Sequence, residues 1–422
     1  MAATTETSGY VGSLTSSQEE KLQSFWKILM QSWGADFHSS LKELNAGPNE
    51  IKAINSLVLK LPGDRLRSAY LTVLKQDHAD ALLLRFLRAE KWNVPKAWIK
   101  FVSALDWRVN EYKVDEEVLM KGELYNLEKS RAKEDSPEKK DGEGFMLQLH
   151  TGKGYFHGKD KFGRPICVVR VRTHDPSSAT KKGLNDYIVQ CIETVRLVQV
   201  HPVDTMTIVF DLTSFSLSNW DFPPVKFIIE IFQESYPESL GAMIFYNAPW
   251  IFSGFWKLIQ GILDPVVAAK WRPGSAETHP EGQIVKELGG CEDWEYKYIE
   301  PEANENDKLL DAETRSTILA ERETLGSELF SLTASLISNP DDKTSQSRRD
   351  EIIKQLSDNY WSLDPYVRAK TLLDRQGVIQ GGGKVEFYPA TKPSVNKETI
   401  VTDEKSEAAT GQVCKEPLAA VS

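Results

Sequence analysis

The sixteen residues from Ala248 to Leu263 (APWIFSGFWKLIQGIL) limit what this chain can become more than any other stretch. From Trp250 onward they hold two Trp, two Phe, three Ile and two Leu against one charge, Lys257. A membrane-spanning helix needs about 17–25 predominantly apolar residues, whereas a run of about 10–14 is read as a buried core helix or an interfacial segment. Pro249 on one side and Asp264-Pro265 on the other keep the run short. A helix apolar nearly all round must meet something apolar on both sides. Within is protein; without is more protein, a lipid or a bilayer.

The rest of the chain is not greasy. Over 422 residues, 41% hydrophobic and 27% charged content is ordinary for a globular protein, so the run is a local device. A net charge of −10 argues against nonspecific nucleic-acid binding, which draws on phosphate neutralisation by a basic surface. Cys167, Cys191, Cys291 and Cys414 lie far apart without C-x-x-C spacing, which suggests neither a zinc site nor a disulfide framework. The start, MAATTETSGY, has neither the basic nor the apolar region of a signal peptide. The expectation is a cytoplasmic chain that meets membranes from the water side.

Residues 1–18 are rich in Ser, Thr and Gly and are expected to form a disordered tail. Ser17-x-x-Glu20 has the form of a capping box ahead of Leu22, Phe25, Trp26 and Leu29. Leu83, Phe86 and Leu87 share a helix face, and Asn93-Val-Pro95 restarts a helix bearing Trp98, Phe101, Val102 and Leu105. Residues 19–122 therefore read as a helical N-terminal region, and the charged, broken stretch 123–144 as a linker. Over 145–295 the period changes. Ile166–Val171, Met206–Leu212 and Ala242–Tyr246 are short apolar runs rich in β-branched and aromatic residues, as in strands buried on both faces. Leu184, Tyr187, Ile188, Cys191, Ile192, Val195 and Val198 separate the first two at helical spacing, and Val225, Ile228, Ile229 and Phe232 the next two. This alternation predicts an α/β unit with a mostly parallel sheet. Residues 296–388 read as a helical C-terminal extension and 389–422 as a disordered polar tail.

Catalytic patterns are missing. Gly377 to Lys384 fails as a phosphate loop, because Gly382 is followed by Gly383 where the motif needs Lys, and Lys384 by Val385 where it needs Ser or Thr. No G-x-S-x-G, H-E-x-x-H or G-x-G-x-x-G occurs. The turn Asp160-Lys-Phe-Gly-Arg-Pro165 reads either as solvated charge or as a corner able to hold a polar group. Lys270 and Arg272 follow the greasy run, where cations suit an anionic lipid surface or simply face water.

Six motifs in order, LLLRFLRAEKW (82–92), Gly163-Arg-Pro165, Phe210-Asp-Leu212, Tyr236-Pro-Glu238, Phe245-Tyr-Asn-Ala-Pro249 and Leu263-Asp-Pro265, resemble the CRAL-TRIO lipid-binding family. The likeness is to its fungal phosphatidylinositol transfer branch, and Pro365-Tyr-Val-Arg-Ala-Lys-Thr resembles members with an extended C-terminus. The resemblance implies a helical bracket packed on a lobe whose sheet floors an apolar pocket. It also implies a gate helix at Trp250–Leu263, with Trp250, Phe252, Phe255, Trp256, Ile259, Ile262 and Leu263 supplying its apolar faces. Inositol-phosphate contacts carry over to Asp160, Pro165, Glu238 and Lys270, with Lys91 as a candidate phosphate contact. Two positions depart from the family: Val267 replaces a Thr, and Glu90 replaces an Arg. Where dual-ligand members hold a choline phosphate with hydroxyls, this chain aligns Phe156, Ile192, Met206 and Ile208, so a second ligand is expected to be apolar, such as a sterol. The resemblance implies no cofactor beyond a bound lipid, with phosphatidylinositol foremost, and no enzymatic activity. The partners it implies are a phospholipid ligand, a membrane surface such as that of the endoplasmic reticulum or endosomes, and a lipid kinase if the protein acts as a lipid-presenting scaffold.

Overall fold

The computed structural model describes residues 8–34, 46–274 and 293–389. Five helices open it: α1 (Ser16–Gln31), α2 (Pro48–Lys60), α3 (Gly63–Leu74), α4 (Ala79–Ala89) and α5 (Val94–Asp106). Their apolar faces meet in a core around Phe25, Trp26, Tyr70, Trp98 and Phe101. The cap of α1 is Thr15, two residues before the expected Ser17. Thr15 Oγ1 accepts from the Gln18 N–H at 3.3 Å, and Gln18 Oε1 accepts from the Thr15 N–H at 2.9 Å. Gln completes this box as well as Glu does, which leaves Ser17 inside the first turn. The expected tail over 1–18 is ordered from residue 8: Arg88 donates to the Gly9 carbonyl at 2.9 Å and lies 4.1 Å from the Tyr10 ring centroid. Residues 1–7 and 390–422 lie outside the described residues.

The stretch 123–144, expected as a linker, is helical. Here α6 (Gly122–Ser130) and α7 (Pro137–Thr151) pack against each other, and Ser136 caps α7 by accepting from the Lys139 N–H at 3.1 Å. The glycines that read as breakers are contact points. A Cβ at Gly142 would lie 2.8 Å from the Asn126 carbonyl oxygen, and α7 is met in turn by Gly183 of the helix Lys181–Val198, where a Cβ would lie 2.3 Å from the Asp141 carbonyl oxygen. Close packing outweighs the roughly 0.5–1 kcal/mol that glycine costs a helix interior.

Five strands follow: β1 (Gly154–Lys159), β2 (Pro165–Arg170), β3 (Met206–Asp211), β4 (Leu240–Tyr246) and β5 (Trp271–Gly274), in spatial order β1-β2-β3-β4-β5. β1 pairs antiparallel with β2, and every other pair is parallel. The three expected strands are β2, β3 and β4; the edge strands β1 (GYFHGK) and β5 (WRPG) carry too little apolar pattern to read. α8 (Lys181–Val198) joins β2 to β3, and α9 (Phe222–Glu234) joins β3 to β4. The greasy run forms α10 (Phe252–Gln260), and α11 (Pro265–Ala269) leads into β5. Parallel crossovers are right-handed and the strand order never reverses, so these connections share one face of the sheet. Period-two alternation then sorts the strand side chains. Cys167, Val169, Ile208, Phe210, Met243 and Phe245 point toward the helices. Ile166, Val168, Val209, Ile244 and Tyr246 point away, beneath Trp294 and Tyr296.

The C-terminal tract folds as α12 (Ala312–Ser338) and α13 (Lys343–Val367), and it completes the N-terminal core. Leu329, Phe330, Ile352, Ile353 and Leu356 join that core, with Phe330 6.3 Å from Trp26 and 5.8 Å from Tyr70 between ring centroids. Arg349 clasps Asp80 through two bonds of 2.6 and 2.8 Å. Beyond α13, Leu373, Val378 and Ile379 reach the cluster on the helical face of the sheet.

Candidate functional site

Between the sheet and α8, α9 and α10 lies a cavity of about 1420 Å³, counting the space open at its mouth. Strand residues such as Ile208, Phe210 and Phe245 form its floor, and the helical stripes Ile188/Ile192 and Val225/Ile228/Phe232 form its walls. Phe156, Ile192, Met206 and Ile208, predicted as pocket residues, all line it; Val267 packs against the same cluster from α11. The polar side chains Lys153, His174 and Asp221 stand together near the C-terminal end of β2, while the Arg170 guanidinium lies over the Tyr155 ring on the other face of the sheet. Sequence reading missed this group, because its members come from three separate elements with no local spacing.

Helix α10 roofs the cavity. Its buried residues Phe252, Trp256 and Ile259 face inward, with Phe252 and Trp256 5.0 and 5.2 Å from the Phe245 ring, and Phe255 stacks on Trp220 at 4.2 Å. Leu263 lines the mouth. The outer side stays apolar: Trp250 is 87% exposed, Leu258 51% and Ile262 39%. Large apolar side chains left in water beside one another mark an interaction surface.

The predicted head-group residues collect at the opposite, N-terminal edge of the parallel strands. Pro165 starts β2, Glu238 precedes β4 and Lys270 precedes β5. Lys270 and Glu238 pair at 3.7 Å, each about one-fifth exposed. The buried Asp160 carboxylate accepts from the Phe162 and Arg164 N–H groups at 2.9 and 3.0 Å and from the Thr207 hydroxyl at 2.7 Å. Its bonding capacity therefore goes into holding the β1–β2 turn. Lys91 is exposed at the end of α4, with φ +51°, and is not gathered into this group. Arg272 is the second residue of the edge strand β5, after Trp271.

Two arginines at this edge escaped sequence reading. Arg164 lies across Gly241, where a Cβ would meet its Nη1 at 2.7 Å, and it approaches Asp160 at 3.9 Å. Arg85 is buried, its pKa lowered by desolvation, and donates to Ser239 Oγ at 3.0 Å. Beneath them a buried ionic hub fixes the Tyr236-Pro-Glu238 loop. Tyr236 donates to Glu193 at 2.6 Å, Arg108 donates to it at 2.8 Å, and Lys75 and Arg196 complete the set. Burial pushes the Glu193 carboxyl upward, but Arg108, Lys75 and Arg196 together hold it well below the usual carboxylate range.

The family model "CRAL/TRIO, N-terminal domain" matches residues 19–103, and "CRAL/TRIO domain" matches 149–290. A CRAL-TRIO domain-containing protein of Schizosaccharomyces pombe is 34% identical over 376 residues, covering 87% of this chain and 80% of its own. This chain belongs to the CRAL/TRIO family. The phosphatidylinositol transfer protein CSR1 of Eremothecium gossypii is 36% identical over 339 residues, 78% of this chain and 75% of its own. The crystal structure of Sfh5 superposes with a TM-score of 0.31 at 19% identity, over 46% of this chain and 64% of that one. Within the CRAL/TRIO chain, the first domain match covers α1 to α5 apart from the start of α1 and the end of α5, and the second covers the sheet and α10. A match over 87% of the chain must also run into the α12–α13 hairpin. Among the described residues no helix is long and apolar enough to cross a membrane, and no cluster of three His, Cys, Asp or Glu side chains could hold a metal.

Proposed function

We propose that this protein extracts single phosphatidylinositol molecules and exchanges them between membranes as a peripheral protein working from the cytoplasmic side. The observation that carries the reading is α10, a lid whose inner residues roof the apolar cavity while Trp250, Leu258 and Ile262 stand in water. Such a helix exchanges its packing partner with little loss when a bilayer replaces the cavity. Two acyl tails with about 30 CH₂ groups, at about 0.8 kcal/mol each, amount to roughly 24 kcal/mol of transfer free energy. Exchange turns over only if the cavity matches the bilayer closely as a solvent, and apolar walls of this extent supply that match. Lys270 and Glu238 would meet the inositol phosphate, with Asp160 and Pro165 framing the turn beside them and Arg164 supplying a cation in place of the family's Thr at Val267. The name of the CSR1 relative supports this choice of lipid. Extraction breaks no covalent bond, so the reading requires neither a catalyst nor a metal.

Transfer of labelled lipids between vesicles tests it. Lys270→Ala with Glu238→Ala should lower phosphatidylinositol transfer about ten- to a hundredfold, the effect of losing charged contacts of about 1.5–3 kcal/mol, with the melting temperature unchanged. Transfer at the wild-type rate would refute the head-group assignment. Phosphatidylcholine should be carried poorly by the wild type, because Phe156, Ile192, Met206 and Ile208 offer a buried choline phosphate no partner. Efficient phosphatidylcholine loading from mixed vesicles would contradict that.

A further inference from the structure

Beside the apolar cavity, across Phe156 and Cys191, lies a smaller one of about 410 Å³, counting the space open at its mouth. Gly154 and Tyr187 also belong to both walls, so the small chamber is an annex of the large one. Helix geometry accounts for the division. On α8, Leu184, Ile188 and Ile192 face the large cavity, Tyr187 and Cys191 stand at the boundary, and Gln190 and Thr194, one turn apart, face the annex. Leu149 of α7, residues of β1, and Leu372 and Leu373 of the short helix Leu372–Arg375 form the other walls. The C-terminal extension thus completes a wall of the α/β lobe.

Two polar groups of the annex lack partners. Gln190 is 3% exposed, its Nε2 donates to Glu123 Oε1 at 3.2 Å, and its buried Oε1 bonds to no described residue. The neighbour fixes which way the amide points. Glu123 also accepts from the Leu372 N–H at 2.9 Å and from Arg375, so it is an acceptor and meets the amide nitrogen. That leaves the Gln190 oxygen for the annex. Thr194, 5% exposed, stands one turn further along the same stripe, and its hydroxyl bonds to no described residue. Buried polar atoms are paired as a rule, so a wall that keeps two of them side by side is shaped to meet a third group.

The chemistry of that group is narrow. Gln190 Oε1 only accepts, and the Thr194 hydroxyl can donate in return. A group that gives a proton to the first and takes one from the second is a hydroxyl; an ether or a ketone has nothing to give Gln190. Among the described residues of the wall the one charge is Glu123, which is occupied by Arg375, Leu372 and Gln190. The annex therefore offers neither a carboxylate for an ammonium nor a cation for an anion.

We infer that Gln190 and Thr194 form a hydroxyl subsite, which seats the head of a neutral lipid with one terminal hydroxyl, a sterol or a long-chain alcohol, whose hydrocarbon lies across the floor of the apolar cavity. Such a molecule enters hydroxyl first. The annex adjoins β1, whereas the lid α10 rests on Phe245 of β4, three strand spacings or about 14 Å away. The neutral lipid and phosphatidylinositol need the same apolar space, so they are carried in turn and not together.

The inference rests on reading the cavity as a lipid chamber, and uptake by delipidated full-length protein from phosphatidylcholine vesicles, each holding one labelled lipid, separates the two claims. The labelled lipids form two pairs: oleyl alcohol with its methyl ether, and cholesterol with its methyl ether. The wild type should take up the alcohol about ten- to a hundredfold better than the ether in at least one pair, and the pair that responds names the chain or the sterol. Thr194→Val, which removes the hydroxyl and keeps the shape, should reduce uptake of that alcohol about three- to tenfold, and Gln190→Met should do the same. Uptake of the ether should hold steady in both variants, which a loss of fold would not allow. Equal uptake of alcohol and ether by the wild type in both pairs, or a preference that survives both substitutions, overturns the subsite and leaves the chamber standing. Uptake of none of the four lipids overturns both.

Discussion

Glu193 shows how a single buried charge positions a site it never touches. It is fully buried on α8 and gathers Lys75, Arg108 and Arg196 together with the Tyr236 hydroxyl, two residues before Glu238. Glu193→Gln keeps the shape but leaves the buried Lys75 without its carboxylate, while Arg108 keeps Asp115 and Arg196 keeps Asp77, and breaking a buried ion pair from one side costs about 3–5 kcal/mol. Urea unfolding should register that loss, and a change below about 1 kcal/mol would mean that Lys75 finds another partner. The pH dependence has a definite sign. Because the folded carboxyl lies well below its ordinary 4.5, its stabilisation is present above that value and is lost as pH falls below it. The variant should lack this part of the acid sensitivity. At this scale the sequence was legible only where motifs were contiguous. Glu238 and Lys270 could be named, but Arg164 could not, because its place depends on the missing Cβ of Gly241, seventy-seven residues away and two strands over.

Among elements, α10 was the most legible and α6–α7 the least, for one reason. Hydrophobic pattern reports what a helix buries, and α10 buries Phe252, Trp256 and Ile259 at helical spacing. α6 and α7 pack through Gly142, and α7 meets α8 through Gly183; side-chain absence is the contact, so the stretch shows charge and glycine to a reader who expects apolar stripes. The structure also divides the labour along α10. Phe255 and Trp256 pack inward, so changing them tests the lid's closure, whereas Trp250 and Leu258 are free of that packing. Trp250→Ser with Leu258→Ser should therefore leave the unfolding midpoint within about 0.5 kcal/mol of wild type. Vesicle association should fall by about two orders of magnitude or more, since burying each large apolar side chain is worth about 1.5–3 kcal/mol. Sedimentation with liposomes measures this, and undiminished binding would place the membrane contact elsewhere.

At the scale of the whole molecule, α13 ties the two units together. Ile352 and Leu356 sit in the N-terminal core, while Tyr360, eight residues beyond Ile352 and about 12 Å along the axis, joins the cluster around the cavity. That link could not be read from the sequence, since the tract's helical pattern says that it packs but not on what. It means that removing the C-terminal tract opens the N-terminal core instead of trimming an appendage. The milder change Phe330→Ala keeps the chain intact and should cost about 3–5 kcal/mol, the range for truncating a buried aromatic. That is a large fraction of the roughly 5–15 kcal/mol that holds a typical domain. Because one rigid helix belongs to both cores, unfolding should be a single transition whether followed at Trp26 and Trp98 or at Trp220 beside the cavity. Loading the cavity with lipid should raise the midpoint seen by both sets of probes, because a ligand that binds only the folded state stabilises everything that unfolds with its site. Two separated transitions, with the lipid shifting only the one near Trp220, would show that α13 spans the units without coupling them.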